Sequence, residues 1–156
     1  MKARRIAAAI YGQILVTAVV AALSEDSAAA VGYLLLSAAT TVLVLWIAHV
    51  YAAVIAQGIH LERRMEGADL RAVAVTELPM LTTAIPTLAI LLLGVLGVFS
   101  RNTTVSLAVG AGVVTLVGWG VVFGRTAGES WLSAASSGAI NGSLGLVIVA
   151  LKAIVH

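Results

Sequence analysis

Five apolar runs dominate this chain, and each is long enough to cross a lipid bilayer as a helix. An α-helix needs about 20 residues to span a hydrocarbon core of about 30 Å. Only short connections separate the runs, so we expect one multi-pass membrane domain over residues 1–156. The pattern predicts an all-α membrane protein with five transmembrane helices. The runs cover residues 6–23, 29–57, 73–99, 105–123 and 131–155.

The composition excludes several classes of protein. Hydrophobic residues make up 61% of the chain and charged residues 10%, whereas soluble domains are about 25% charged. A chain of 156 residues with so few polar groups cannot cover the surface of a soluble fold. The absence of cysteine excludes a disulfide scaffold and a cysteine-bound zinc or iron–sulfur centre. The basic residues lie at the ends of apolar runs, so the expected partner is the lipid bilayer and not nucleic acid.

Positive charge is distributed unequally between the two ends of the predicted bundle. The end with few basic residues has only Arg101 and Lys152, and its first loop carries the acidic residues Glu25 and Asp26. Because positively charged loops stay in the cytoplasm, we expect a cytoplasmic N-terminus and an external C-terminus, in the bacterial inner (plasma) membrane. We expect the first run to be a retained span and not a cleaved signal peptide. The basic residues of the cytoplasmic end are Lys2, Arg4, Arg5, Arg63, Arg64, Arg71 and Arg125.

Small residues recur at helical spacing in three of the runs. Lipid gives helices little hydrophobic reason to associate, so small residues mark faces where another backbone can approach closely. Such faces serve either packing within one bundle or contact between subunits. Five helices form a thin bundle, which favours a homodimer. The faces consist of Ala48, Ala52 and Ala56; Ala108, Gly112, Gly120 and Gly124; and Ala134, Gly138 and Gly142.

Two prolines interrupt the third run. Pro79 and Pro86 each remove a backbone donor, so the helix is predicted to kink. Thr82, Thr83 and Thr87 are placed to satisfy the freed carbonyl groups. Interrupted helices line transport sites in many carriers, and they also occur in membrane helices with no transport role.

Several polar side chains lie inside the apolar runs. Gln13 is in the first run, His49 and Tyr51 in the second, Glu77 in the third and Asn141 in the fifth. Polar groups within a membrane are costly and therefore are candidates for function. Helical rise places Gln13, His49 and Asn141 at similar depth. We predict a polar transport pathway through the cytoplasmic half, the alternative being that each group bonds a neighbouring helix.

The charged loop 58–72 is a candidate metal site. Glu62, Glu66 and Asp69 follow i, i+4, i+7 spacing on a predicted extension of the second helix, with His60 nearby. Carboxylates with an imidazole suit divalent metal ions. Three arginines in the same loop favour the alternative that the acids form solvated ion pairs. We predict no resident cofactor, and a divalent metal ion would be the substrate.

The order of these features resembles the vacuolar iron transporter (VIT) family. Residues 88–94 resemble the family's third span, residues 117–128 the end of its fourth, and residues 134–154 its fifth. Residues 51–66 are similar to its second span running into the acidic insertion. The resemblance implies five spans, a cytoplasmic N-terminus and a dimer that exchanges divalent metal for protons.

The first span departs from that family. Members open it with an Asp-Gly pair that carries the metal, whereas this chain has Tyr11 and Gly12 at the corresponding place. The resemblance therefore implies the fold and not the iron site. The chain also resembles small integral membrane proteins of bacteria with Ala- and Arg-rich proteomes, a likeness that implies no function.

The sequence thus predicts a small transporter or channel for a cation, most of all a divalent metal or a proton. It contains no HExxH, GxSxG, P-loop or CxxC motif, so we do not expect an enzyme. A non-transporting accessory subunit of a larger membrane complex is the alternative, because it explains the short loops and small-residue faces equally well.

Overall fold

The fold is seen in a computed structural model that describes residues 2–61 and 66–154. Within these ranges every regular element is an α-helix. The all-α prediction is confirmed for this part of the chain. The helices are α1 (Lys2–Leu23), α2 (Val31–Leu61), α3 (Gly67–Glu77), α4 (Pro79–Thr82), α5 (Ile85–Val95), α6 (Arg101–Thr126) and α7 (Trp131–Ile154).

The structure contains fewer candidate membrane spans than the five apolar runs. Among the described residues, three helices are long and apolar enough to cross a bilayer, namely Arg4–Leu23, Val31–His60 and Arg101–Thr126. A fourth is added if the bent pair Gly67–Thr82 and Ile85–Val95 counts as one span. These helices support a membrane protein. α7 covers the fifth run without belonging to this set, so the fifth crossing and the orientation of the termini stay predictions.

The third apolar run is broken and is not one kinked helix. The segment formed by α3 and α4 meets α5 at an angle of 52°, across a break at residues 83–84. Pro79 and Pro86 lie in the first turns of α4 and α5, where the missing N–H costs no helical hydrogen bond. Each proline therefore begins a new helix. The segment starts at Gly67, earlier than residue 73, because a polar first turn precedes the apolar part.

Helix α1 lies at the centre of the bundle. Half of its apolar window is buried, against 17% for α2 and 22% for α6. Val16 and Val20 of α1 pack with Leu34 of α2 and Leu91 of α5 in the apolar core. Gly12 lets α4 approach α1 closely, because a Cβ there would lie 2.6 Å from the backbone oxygen of Met80. α1 therefore forms the centre against which the other helices pack.

Small residues of the fourth and fifth runs pack within the chain: Gly120 and Gly124 of α6 face α7, whereas Gly112 faces α1. A Cβ on Gly120 would lie 2.6 Å from the backbone oxygen of Ser137, and one on Gly138 would lie 2.7 Å from Val121 Cγ2. Backbones this close leave room only for hydrogen at these positions. For these two faces, packing within one chain is confirmed.

The small-residue face of the second run is different. Ala48, Ala52 and Ala56 are all exposed on α2. No helix of the described chain covers them, so the choice between lipid and a second subunit stays open for this face.

The two ends of the bundle are held by arginines. At one end, which we call the Arg101 end, the Arg101 guanidinium donates to the backbone oxygens of Ser24, Asp26 and Ala29 at 3.0, 2.6 and 3.0 Å. This brings the first and third predicted loops together. At the opposite end, which we call the Arg4 end, Arg4 pairs with Glu77.

Candidate functional site

A cavity of about 410 Å³ that is open to the surroundings lies at the Arg4 end, between α1, α2 and the end of α3. Helix α1 supplies four of its residues at i, i+3, i+4 and i+7, which is the spacing of one helical face. Helices α2 and α3 supply one residue each. The lining residues are Arg4, Ala7, Ala8, Tyr11, His49 and Glu77.

Glu77 is the acidic group of this cavity. Its side chain is 3% exposed, and its Oε1 accepts a hydrogen bond from Arg4 Nε at 2.7 Å. A buried carboxylate needs such a partner, because burial removes the water that otherwise stabilises its charge. The Arg4 side chain is 44% exposed. The ion pair therefore joins the buried carboxylate of Glu77 to a guanidinium that is still partly exposed.

His49 is the second titratable group of the cavity. Its ring packs on the ring of Tyr11, with 4.9 Å between centroids and 44° between planes. Its Nδ1 lies 3.1 Å from the backbone oxygen of Leu45. A carbonyl oxygen only accepts, so Nδ1 carries the hydrogen and donates it. In the neutral ring Nε2 is then an acceptor, and no residue of the described ranges bonds to it.

The structure thus brings together two of the predicted pathway residues, His49 and Glu77, from different helices. It does not place Tyr51 with them. Tyr51 is 68% exposed and lines a shallow groove on the outside of α2 with Trp46 and Leu70. Residues two apart on a helix face away from each other, which explains why His49 points inward while Tyr51 points outward.

Gln13 belongs to a separate polar cluster. It is fully buried, and its Nε2 donates to Thr17 Oγ1 at 3.2 Å and to Thr87 Oγ1 at 3.1 Å. Its Oε1 is buried without a partner in the described part of the chain. Gly112 of α6 closes the cluster, because a Cβ there would lie 3.0 Å from Gln13 Nε2. Tyr11 and Gln13 lie on different faces of α1, so the cluster faces α5 and α6 and not α2.

Asn141 lies apart from both places. Its Nδ2 donates to the backbone oxygen of Ser137 at 3.1 Å, beside Gly120 of α6. Gly120 is eight residues from the Gly112 that contacts Gln13, which is about 12 Å along the helix. The prediction that Gln13 and Asn141 lie at similar depth is therefore wrong, because they contact α6 about two turns apart. The bond of Asn141 to its own helix favours the structural interpretation for this residue.

Glu66 and Asp69 of the charged loop begin α3 and do not lie on an extension of α2, as the spacing predicted, because α2 ends at Leu61 and Glu66 is in extended conformation. Glu66 N donates to Asp69 Oδ2 at 3.0 Å in a capping box at the start of α3. His60 is exposed near the end of α2, and Glu62 lies outside the described residues. The described residues contain no group of three or more histidine, aspartate and glutamate side chains that could hold a metal ion. Metal binding at this loop stays a prediction.

Sequence reasoning missed two residues of the cavity. Arg4 counted only as a charge that orients the chain, although a helix beginning at Lys2 places it on the same face as Tyr11. Tyr11 enters the sequence prediction only as the residue that stands where members of the VIT family have a metal-binding aspartate. The i, i+7 spacing of Arg4 and Tyr11 was the signal available.

Comparison with known proteins adds no assignment. No protein-family model matches the chain, and no curated protein or solved structure matches it.

Proposed function

We propose that this chain is a small membrane transporter or channel for a cation, with the proton among the species that it moves. One observation carries the proposal. His49 and Glu77, from two different helices, line the same cavity of about 410 Å³ at one end of the bundle. Ionisable side chains within the membrane helices that line a shared cavity are typical of ion and proton pathways.

The chemistry of the two groups supports proton movement. His49 Nε2 is an acceptor with no partner in the described chain, so it can take a proton while Nδ1 stays bonded to Leu45. Glu77 balances the charge of Arg4, so protonation of the Glu77 carboxylate would break this ion pair and release the Arg4 side chain. Proton uptake at either group therefore changes the charge inside the cavity.

A divalent metal remains a second cargo of the same proposal. The charged loop offers the carboxylates of Glu66 and Asp69 for such an ion, outside the cavity. We propose the rest of the architecture with it. That architecture is five spans, a cytoplasmic N-terminus, a homodimer and a location in the bacterial inner (plasma) membrane.

The test is flux in proteoliposomes that contain a pH-sensitive and a metal-sensitive dye. Fe²⁺, Mn²⁺, Zn²⁺ and Co²⁺ are added with and without a pH gradient. We expect His49→Ala and Glu77→Gln to abolish flux while far-UV circular dichroism stays unchanged. Tyr51→Phe is the control, because Tyr51 is exposed on the other side of α2 and lies outside the cavity.

The outcomes separate the possibilities. Normal flux in both cavity variants would remove His49 and Glu77 from the mechanism. Proton flux without metal entry would make the chain a proton channel or carrier. No change in the signal of either dye, with the protein shown to be inserted in the liposomes, would reject transport.

One observation favours the alternative of an accessory subunit in a larger membrane complex. The face of α2 formed by Ala48, Ala52 and Ala56 is exposed, although the equivalent faces of α6 and α7 are packed. Small residues at this spacing suit close contact with another helix. Purification in mild detergent discriminates, because a second membrane protein that co-purifies supports the accessory role and a discrete homo-oligomer supports the homodimer.

A further inference from the structure

We infer that the cavity at the Arg4 end binds a small organic cation of the guanidinium or primary amine class, which replaces Arg4 at Glu77. This inference rests on the proposed function and names its substrate class. In this view Arg4 is a tethered competitor that fills the cation site when it is otherwise empty.

The size of the cavity favours an organic molecule. Its volume of about 410 Å³ lies in the range of about 300–1,000 Å³ that small-molecule sites occupy. Ala7 and Ala8 form part of the wall, and their short side chains leave the space open. A dehydrated metal ion needs ligands on several sides at distances of about 2.0–2.6 Å, which a cavity of this size does not supply by itself.

The donor set also favours an organic cation. The cavity offers one carboxylate from Glu77, one free imidazole acceptor from His49 and one aromatic ring from Tyr11. A cation with several N–H groups can bond to the carboxylate and the imidazole together, while its face packs on the ring. Among the described residues no three metal ligands come together.

The geometry of the ion pair shows that such a replacement is feasible. Arg4 bonds to Glu77 through Nε alone, and not through the two parallel bonds that fix a guanidinium on a carboxylate most firmly. Arg4 lies in the first turn of α1, and its side chain is 44% exposed. The Arg4 side chain can therefore move into the surroundings at little cost, whereas Glu77, at 3% exposure, needs a cation in its place.

The experiment measures binding of phenylguanidinium to the full-length protein in nanodiscs by isothermal titration calorimetry. If Arg4 leaves the site empty about one tenth of the time, its removal raises the apparent affinity about tenfold. We therefore expect Arg4→Gln to bind phenylguanidinium about tenfold more tightly than the wild type. Glu77→Gln should bind none, and His49→Ala should bind more weakly than the wild type.

Two further variants keep the test decisive. If Arg4→Gln does not fold, Arg4→Lys gives the same readout, because a lysine is a point charge without the planar guanidinium and should compete less well. Arg5→Gln is the matched control, since Arg5 is the adjacent exposed arginine and lies outside the cavity. It should leave the affinity unchanged.

The inference is overturned if the folded Arg4 variants bind phenylguanidinium no more tightly than the wild type, or if Glu77→Gln retains binding. Proton flux in liposomes separates this result from a failure of the proposed function. Flux without phenylguanidinium binding refutes the substrate class alone, and binding without any flux refutes transport while leaving the site.

Discussion

Replacing Gly120 by alanine tests the close packing of α6 against α7. The new Cβ would lie 2.6 Å from the backbone oxygen of Ser137, 2.7 Å from Gly138 Cα and 2.8 Å from Asn141 Nδ2. Ordinary van der Waals contact begins near 3.4 Å. Two of these neighbours are backbone atoms that cannot rotate away, so α7 has to move by about 0.8 Å or α6 has to deform locally.

The expected magnitude follows from that movement. Overpacking of a close helix contact costs about 1–3 kcal/mol, against which alanine gains up to about 1 kcal/mol over glycine in a helix. We expect Gly120→Ala to lower the free energy of unfolding by about 1–2 kcal/mol. Gly118→Ala is the matched control on the same helix, because nothing lies within 4 Å of its Cβ position. This control should be neutral or slightly stabilising.

The assay is reversible unfolding in mixed micelles with increasing sodium dodecyl sulfate, followed by far-UV circular dichroism. The comparison between the two glycine variants cancels the effects that the detergent has on both. Equal stability of Gly120→Ala and Gly118→Ala would show that α6 and α7 are not in the close contact described above.

Three further predictions concern other contacts. Arg101→Gln removes three charge-assisted hydrogen bonds and should speed amide exchange in residues 24–30 about tenfold or more, while exchange in α7 stays unchanged by mass spectrometry. Gln13→Leu removes a buried unpaired oxygen at similar volume and should change stability by less than about 1 kcal/mol, whereas Gln13→Ala leaves a void and should cost about 2–4 kcal/mol in the same micelle assay. Trp119→Phe removes the bond from Nε1 to Thr83 Oγ1 at 2.9 Å, so a double-mutant cycle with Thr83→Val should show a coupling of about 1 kcal/mol, and purely additive effects would contradict that bond.

Hydropathy predicted where helices lie better than it predicted where they begin and end. The fourth run, residues 105–123, extends to Arg101–Thr126 in the structure. The extension at its start depends on Ser100, whose side chain accepts a hydrogen bond from Thr103 N and so begins the helix before the apolar part. Apolar content marks the membrane part of a helix, and capping residues mark its ends.

The break in the third run was only partly predictable. Pro79 and Pro86 indicate a kink, but their spacing does not say whether the chain bends within one span or divides into separate helices. The 52° angle depends on tertiary contacts, including the close approach of Met80 to Gly12. Such a contact joins residues far apart in sequence, so no local pattern contains it.

The candidate site was predicted by residue type and not by arrangement. Membrane burial makes His49 and Glu77 candidates from sequence alone. Whether they share a cavity depends on how far α2 and α3 are rotated about their axes, which packing decides. Gln13 faces α5 and α6 instead, and Asn141 lies about two turns further along α6, so depth counted from the apolar runs was a poor guide to position.

The Arg101 contacts have a mechanical consequence. One guanidinium ties three carbonyls of the first loop to the start of α6, so the helices are fixed to each other at that end. At the opposite end, within the described residues, the half-exposed Arg4 pairs with Glu77, and Arg125 donates to the backbone oxygen of Glu129. Arg101 thus makes the first loop part of the folded end of the bundle, although residues 24–30 belong to no helix or lie only at its edge.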